Sequence, residues 1–164
     1  ILKLIEENTE KYTISFIDID INDEITEHLE EITTGQVIVL VNNQENSIKK
    51  AYTLLKKLST KISDLKVNIV VNGSDHEESQ LIQRNISLTA SNYLSISIAS
   101  LGNIIQDGDL AKASKIGKSV FEVFPKSQSV EIFKQIARNI LSEPTITGKS
   151  HELLHENHHP IEVQ

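Results

Sequence analysis

The chain contains no cysteine, no methionine and no tryptophan, and aromatic residues make up only 4% of its 164 positions. Without cysteine there is no disulfide framework and no thiol nucleophile or thiolate ligand. That absence leaves the compartment open and is compatible with a reducing cytoplasm. No apolar run approaches the roughly 20 residues that span a bilayer, and no signal peptide opens the chain. Basic residues are outnumbered: the net charge of −7 argues against a general nucleic-acid binder, which needs a basic surface to displace counterions. Glycine occurs six times, never as G-x-G-x-x-G, and no G-x-x-x-x-G-K-[ST] occurs, so no P-loop can cradle phosphates. No serine nucleophile elbow is present. As it stands, the chain cannot assemble a complete nucleotide hydrolase. The missing methionine and phosphate loop, with a helical pattern beginning directly at Ile1, give the expectation of a part of a longer protein.

What is there is a regular alternation. Residues 1–10 carry Ile1, Leu4 and Ile5 on one side, as a helix would. Residues 13–18 (TISFID) are short, β-branched and apolar, predicting a buried strand that ends on Asp18. Residues 23–32 predict a short helix, capped by Asn22 or Asp23. Residues 36–41 (QVIVLV) form the clearest strand, and their unbroken apolar run predicts burial on both faces. Ile48, Ala51, Tyr52, Leu55, Leu58 and Ile62 then follow helical spacing over about 46–62. A strand over 66–72 follows, then a helix over about 77–94 with Ile82, Ile86, Ala90, Tyr93 and Leu94 on one face. A weaker strand is predicted over 100–105. Beyond it come a short helix holding Leu110, Ala113 and Ile116, with Gly117 placed to terminate it, and an extended segment over 119–125. The last helix is capped by Ser127, with Val130, Phe133, Ile136, Ala137 and Ile140 inward, and is stopped by Pro144.

Strands and helices alternating at this spacing predict an α/β fold, a mostly parallel sheet flanked by helices. Residues 1–142 form the predicted domain and 143–164 a mobile polar tail. The tail holds His151, His155, His158 and His159. Although His151 and His155 sit at helical i, i+4 spacing, a polar surface tail is the reading preferred to a metal site. Lys49, Lys50, Lys56, Lys57 and Lys61 are read as a solvated helix face.

In an open parallel sheet, ligands bind beyond the carboxyl ends of the strands. Sequence order places Asp18 and Asp20, Asn42 and Asn43, Asn72, and Gln106 with Asp107 at that rim. The same residue types also form turns for purely conformational reasons. For Asp18 both readings stay open: a carboxylate serving Mg²⁺, or a cap accepting backbone N–H groups of the 19–23 turn.

The order of these units resembles the C-terminal half of the MinD/ParA class of deviant-Walker ATPases, most nearly the flagellar-number regulators (FlhG/FleN-like proteins). The resemblance spans roughly residues 1–142 and rests on five stretches: YTISFIDIDIN (12–22), VIVLVNNQENSIKKAYTLLK (37–56), NIVVNG (68–73), YLSISIASLGNIIQDGDLAKA (93–113) and PKSQSVEIFKQIARNIL (125–141). It implies a partial P-loop NTPase fold lacking the P-loop half. It also implies ATP and Mg²⁺ as cofactors, with Asp18 as the catalytic and metal-linked carboxylate. Asn72, Ile105, Gln106 and Asp107 would hold the base. The implied context is a cytoplasmic, possibly membrane-associated protein that forms a homodimer on ATP and meets partners of polar or flagellar machinery. Several positions depart from the family: its switch glycines fall on Asp20 and Asn22, two loop prolines on Asn43 and Ile105, and an Asp on Lys50. These departures keep a second reading alive, that of a non-hydrolysing relative serving localisation or partner docking. The tail offers only Leu153, Leu154 and Ile161 as apolar anchors beside Lys149, so direct membrane binding is expected to be weak or absent.

Overall fold

The computed structural model describes residue 14 and residues 16–19, 36–62 and 66–142. In chain order the elements are β1 (Val37–Asn42), α1 (Glu45–Lys61), β2 (Val67–Asn72), α2 (His76–Leu94), β3 (Ile98–Ile104), α3 (Gly108–Lys115), α4 (Val120–Val123) and α5 (Gln128–Ser142). The three strands form one sheet in the order β1-β2-β3, and both pairings are parallel. Val37 lies opposite Val67 and Asn42 opposite Asn72. β2 and β3 run from Val67 opposite Ile98 to Asn72 opposite Ile104, with a register shift at Ile69/Val70. Each strand therefore pairs with the next one in sequence, across an intervening helix. The predicted α/β architecture is borne out, and it is compatible with a partial P-loop NTPase-like fold.

Side chains of a strand alternate between faces, which assigns the two layers. Val39 and Val41 of β1 and Val67, Ile69 and Val71 of β2 pack with Ala51, Leu54, Leu55 and Leu58 of α1 and with Ile82, Ile86 and Ala90 of α2. On the opposite face Val70, Leu101 and Ile104 pack against Ile136 of α5, with Ile132, Phe133 and Ile140 beside it. A third cluster, Ala113, Val120 and Val130, joins α3, α4 and α5. Fully burying side chains of this size contributes about 1.5–3 kcal/mol each, so the α1/α2 layer is the principal core.

Local chemistry sets the helix ends. Asp75 caps α2, its side chain accepting the Glu78 N–H at 2.8 Å. α3 ends where expected: Gly117 adopts φ +65°, its N–H donates to Ser114 O at 3.0 Å, and Lys118 N–H donates to Ala113 O at 3.0 Å. That paired closure is the Schellman arrangement, and it needs a left-handed residue at the Gly117 position. Gly102 serves a different purpose. A Cβ there would stand 3.3 Å from Ile136 Cγ1, so the missing side chain lets α5 approach β3 closely.

Several sequence expectations are corrected. Ile14 and residues 16–19 lie outside any strand, and Ile14, Phe16 and Ile17 are exposed, Phe16 by 74%. An apolar run of that length predicts a core strand only if a neighbouring layer covers it, and among the described residues none does. β1 is not buried on both faces: Leu40 is 61% exposed, because α5 covers β2 and β3 and no described residue covers β1 on that side. The strand enclosed on both faces is β2. Tyr93 and Ile116, read as inward, are exposed, and the segment 119–125 contains the helical turn α4 instead of extended chain. Ser119 explains that turn by accepting the Phe121 N–H at 3.3 Å. The helices expected over 1–10 and 23–32 and the polar tail 143–164 lie outside the described residues.

Candidate functional site

The carboxyl ends of all three strands point to one rim of the sheet, and pairing fixes who stands beside whom. Asn42 neighbours Asn72 across β1 and β2, and Asn72 neighbours Ile104 across β2 and β3. The Gly73 N–H donates to Ile104 O at 2.7 Å, extending this contact one residue past β2. Asn42, Asn72 and the 105–107 loop are therefore one contiguous edge.

The side chains along this edge have different tasks. Asn42 Oδ1 accepts the Gln44 N–H at 3.0 Å, and the Asn42 N–H donates to Ser47 Oγ at 3.1 Å. Together these bonds shape the entry to α1. The Asn43 amide donates to both carboxylate oxygens of Glu78 at 3.3 Å, tying that entry to the first turn of α2. Both asparagines thus do turn chemistry. Asn72 is half-buried, at the end of the central strand, and its amide makes no hydrogen bond among the described residues. Among the described residues its amide, like the Gln106 side chain, is left able to bind something else. In the next loop Ile105 is half-buried and Gln106 exposed.

Asp107 is occupied on both sides. Its Oδ1 accepts the N–H groups of Asp109 at 2.8 Å and Leu110 at 3.4 Å, capping α3. Its Oδ2 accepts the Ser127 hydroxyl, the Ser129 hydroxyl at 2.7 Å and the Ser129 N–H at 3.1 Å. The Ser127 hydroxyl, then that of Ser129, hold the Asp107 carboxyl well below the usual carboxylate range. Partial desolvation opposes them, and the Asp109 and Ser129 amides reinforce them. Ser127 also accepts the Ser129 N–H at 3.2 Å, so it does cap the last helix as its position suggested. Its link to Asp107 spans 20 residues and has no signal in local sequence beyond a carboxylate and two serines at strand and helix ends.

Asp18 is exposed and belongs to no strand or helix. Among the described residues no group of three or more His, Asp or Glu could hold a metal ion. One exposed carboxylate does not make a Mg²⁺ cage, which needs several oxygen ligands or substrate phosphates in octahedral array. ATP fits in part. Among the described residues the rim offers the Asn72 amide and the backbone of the 105–107 loop, and includes no glycine-rich cradle for phosphates. The lysines of α1 are a solvated face as read, with Lys49 paired to Glu45 at 2.6 Å. No helix among the described residues is long and apolar enough to cross a membrane.

A parallel β-α-β-α-β sheet flanked by helices places the described residues in the α/β class, compatible with a partial P-loop NTPase-like fold. Within that class, the chain is 24% identical over 110 residues to the antiactivator FleN of Pseudomonas aeruginosa, a match covering 66% of this chain. The match spans 39% of FleN. No family model matches the chain. The similarity to FleN is a distant, partial homology to a MinD/ParA-class flagellar-number regulator, and it agrees with the resemblance drawn from the sequence.

Proposed function

We propose that this chain is part of a MinD/ParA-like ATPase acting in the spatial or numerical control of a cell-surface structure, the flagellum. The observation that carries this reading is the alignment with FleN over 66% of the chain, joined to a parallel sheet whose central strand ends on Asn72, whose amide has no partner among the described residues. FleN-like ATPases generally use ATP and Mg²⁺, and MinD/ParA relatives commonly dimerise and engage partner proteins. On this reading Asn72 and the backbone of 105–107 receive the adenine ring, and Asp18 supports Mg²⁺ and the attacking water through intervening groups. Phosphate charge would be carried by a glycine-rich loop and lysine outside the 164 residues, and these 164 residues alone would not hydrolyse ATP.

The exposure of Asp18, with Asp20 and Asn22 at the switch positions, favours a second reading. In it the fold is kept for partner docking and localisation without turnover. Titration of the gene-encoded protein with a fluorescent ATP analogue, with and without Mg²⁺, separates the two. Saturable, Mg²⁺-dependent binding with slow turnover supports the ATPase; binding without turnover supports the docking module. Absence of any nucleotide binding, or unchanged flagellar number per cell in a strain lacking the gene, would sink the proposal.

A further inference from the structure

The hydrogen bonds of α5 reach β3 and the loop beyond it at two separated points. Near the helix C-terminus, the Asn139 amide donates to Leu101 O at 2.8 Å. At its N-terminus, Ser127 and Ser129 donate to Asp107. The segment 101–107 is thus fastened to α5 at both ends, and Ile136 seats against Gly102 between them. The same Asp107 carboxylate caps α3 through Asp109 and Leu110. One side chain therefore fixes the exit of β3, the start of α3 and the start of α5 together.

From this geometry we infer that Asp107 is a positioning residue: with Ser127 and Ser129 it clamps the 105–107 loop to α5, so that the placement of α5 sets how the loop meets a nucleotide base. The inference rests on the nucleotide-binding reading above and changes the role given there to Asp107. Its carboxylate is spent on the chain's own donors, and the ligand-facing groups of the loop are the backbone of Ile105 and Gln106. A partner that displaced α5 would loosen base recognition without touching the rim.

Two variants of the gene-encoded protein test this, S129A and N139A, which act at opposite ends of the same clamp. Backbone hydrogen exchange at 105–107, measured without nucleotide, should accelerate in S129A while the α1/α2 core keeps its protection. Affinities for ATP, GTP and inorganic tripolyphosphate should then divide. We expect ATP binding to weaken by about threefold to tenfold, the effect of one lost hydrogen bond, and the preference between ATP and GTP to shrink. Tripolyphosphate binding should stay unchanged. N139A should act in the same direction. Unchanged exchange at 105–107, or an unchanged ATP-to-GTP ratio in both variants, would overturn the inference while leaving wild-type nucleotide binding intact. Failure of the wild-type protein to bind any nucleotide would overturn the nucleotide-binding reading and this one with it.

Discussion

Asn139 Nδ2 donates to the carbonyl of Leu101 at 2.8 Å, joining the last turns of α5 to the bulged part of β3. The bond crosses 38 residues of chain. Asn139→Ala removes the donor and leaves the carbonyl of Leu101, a buried residue, without that partner. We expect a loss of about 1 kcal/mol in denaturant unfolding. An unchanged midpoint would mean that water replaces the amide at no cost.

The clamp at the other end of α5 depends on charge. The folded Asp107 carboxyl titrates below its ordinary value, because two serine hydroxyls and backbone amides stabilise the anion. Its stabilising contribution is therefore fully present above the ordinary carboxylate range. It is lost as pH falls through that range toward the lower folded value. Asp107→Asn should lower the melting temperature near neutrality and flatten its fall between about pH 5 and pH 3. Parallel acid limbs for the two proteins, followed by circular dichroism, would contradict this assignment.

Burial separates two leucines of similar sequence character. Leu55 of α1 is 1% exposed in the main core, and Leu40 of β1 faces outward. Leu55→Ala should cost about 2–5 kcal/mol, against less than about 0.5 kcal/mol for Leu40→Thr, a surface change between strand-compatible residues. A large loss at Leu40 would reveal a covering layer in the gene-encoded protein.

Asn72 and Asp18 can be tested side by side. Asn72→Ala should leave stability nearly unchanged, since its amide has no partner among the described residues, and should weaken ATP binding severalfold. Asp18→Asn should likewise spare stability and reduce Mg²⁺-dependent affinity and turnover. Calorimetric titration of both variants decides the matter. Wild-type affinity in Asn72→Ala would remove the rim from the proposed site.

The periodic parts of the fold were legible in the sequence. Leu55 and Leu58, or Ile82 and Ile86, recur at helical spacing, and the structure buries them. Gly117 announced the end of α3 because few other residues fit its left-handed backbone. Local pattern failed where the outcome depended on what lay alongside. The QVIVLV run cannot show that α5 covers β2 and β3 but not β1, and TISFID cannot show whether a neighbour covers Phe16. At the rim, Asn42, Asn43, Asn72 and Asp107 looked equivalent, since all are turn-forming residues at strand ends. Only the hydrogen bonds separate them: turn, tether to Glu78, unengaged amide, and clamp. Ser127 and Ser129 gave no hint of partnering Asp107, because a contact over 20 residues leaves no mark in neighbouring residue types.

The strand order has a consequence for how the chain is made. Each strand pairs with its predecessor, and the first register contacts join Val37 to Val67 and Val67 to Ile98, closing segments of 30 and 31 residues. Such near-neighbour closures are less costly in chain entropy than pairings between distant segments. During synthesis β2 can dock on β1 as soon as α1 has passed, and β3 can follow without awaiting later sequence. Among the described elements α5 emerges last, so a nascent chain holding all three strands but not α5 still shows Val70, Leu101 and Ile104 to water. Ribosome-bound chains ending near residue 126 should accordingly protect the β1–β2 amides from exchange while binding a hydrophobic dye. The arrival of α5 closes that surface.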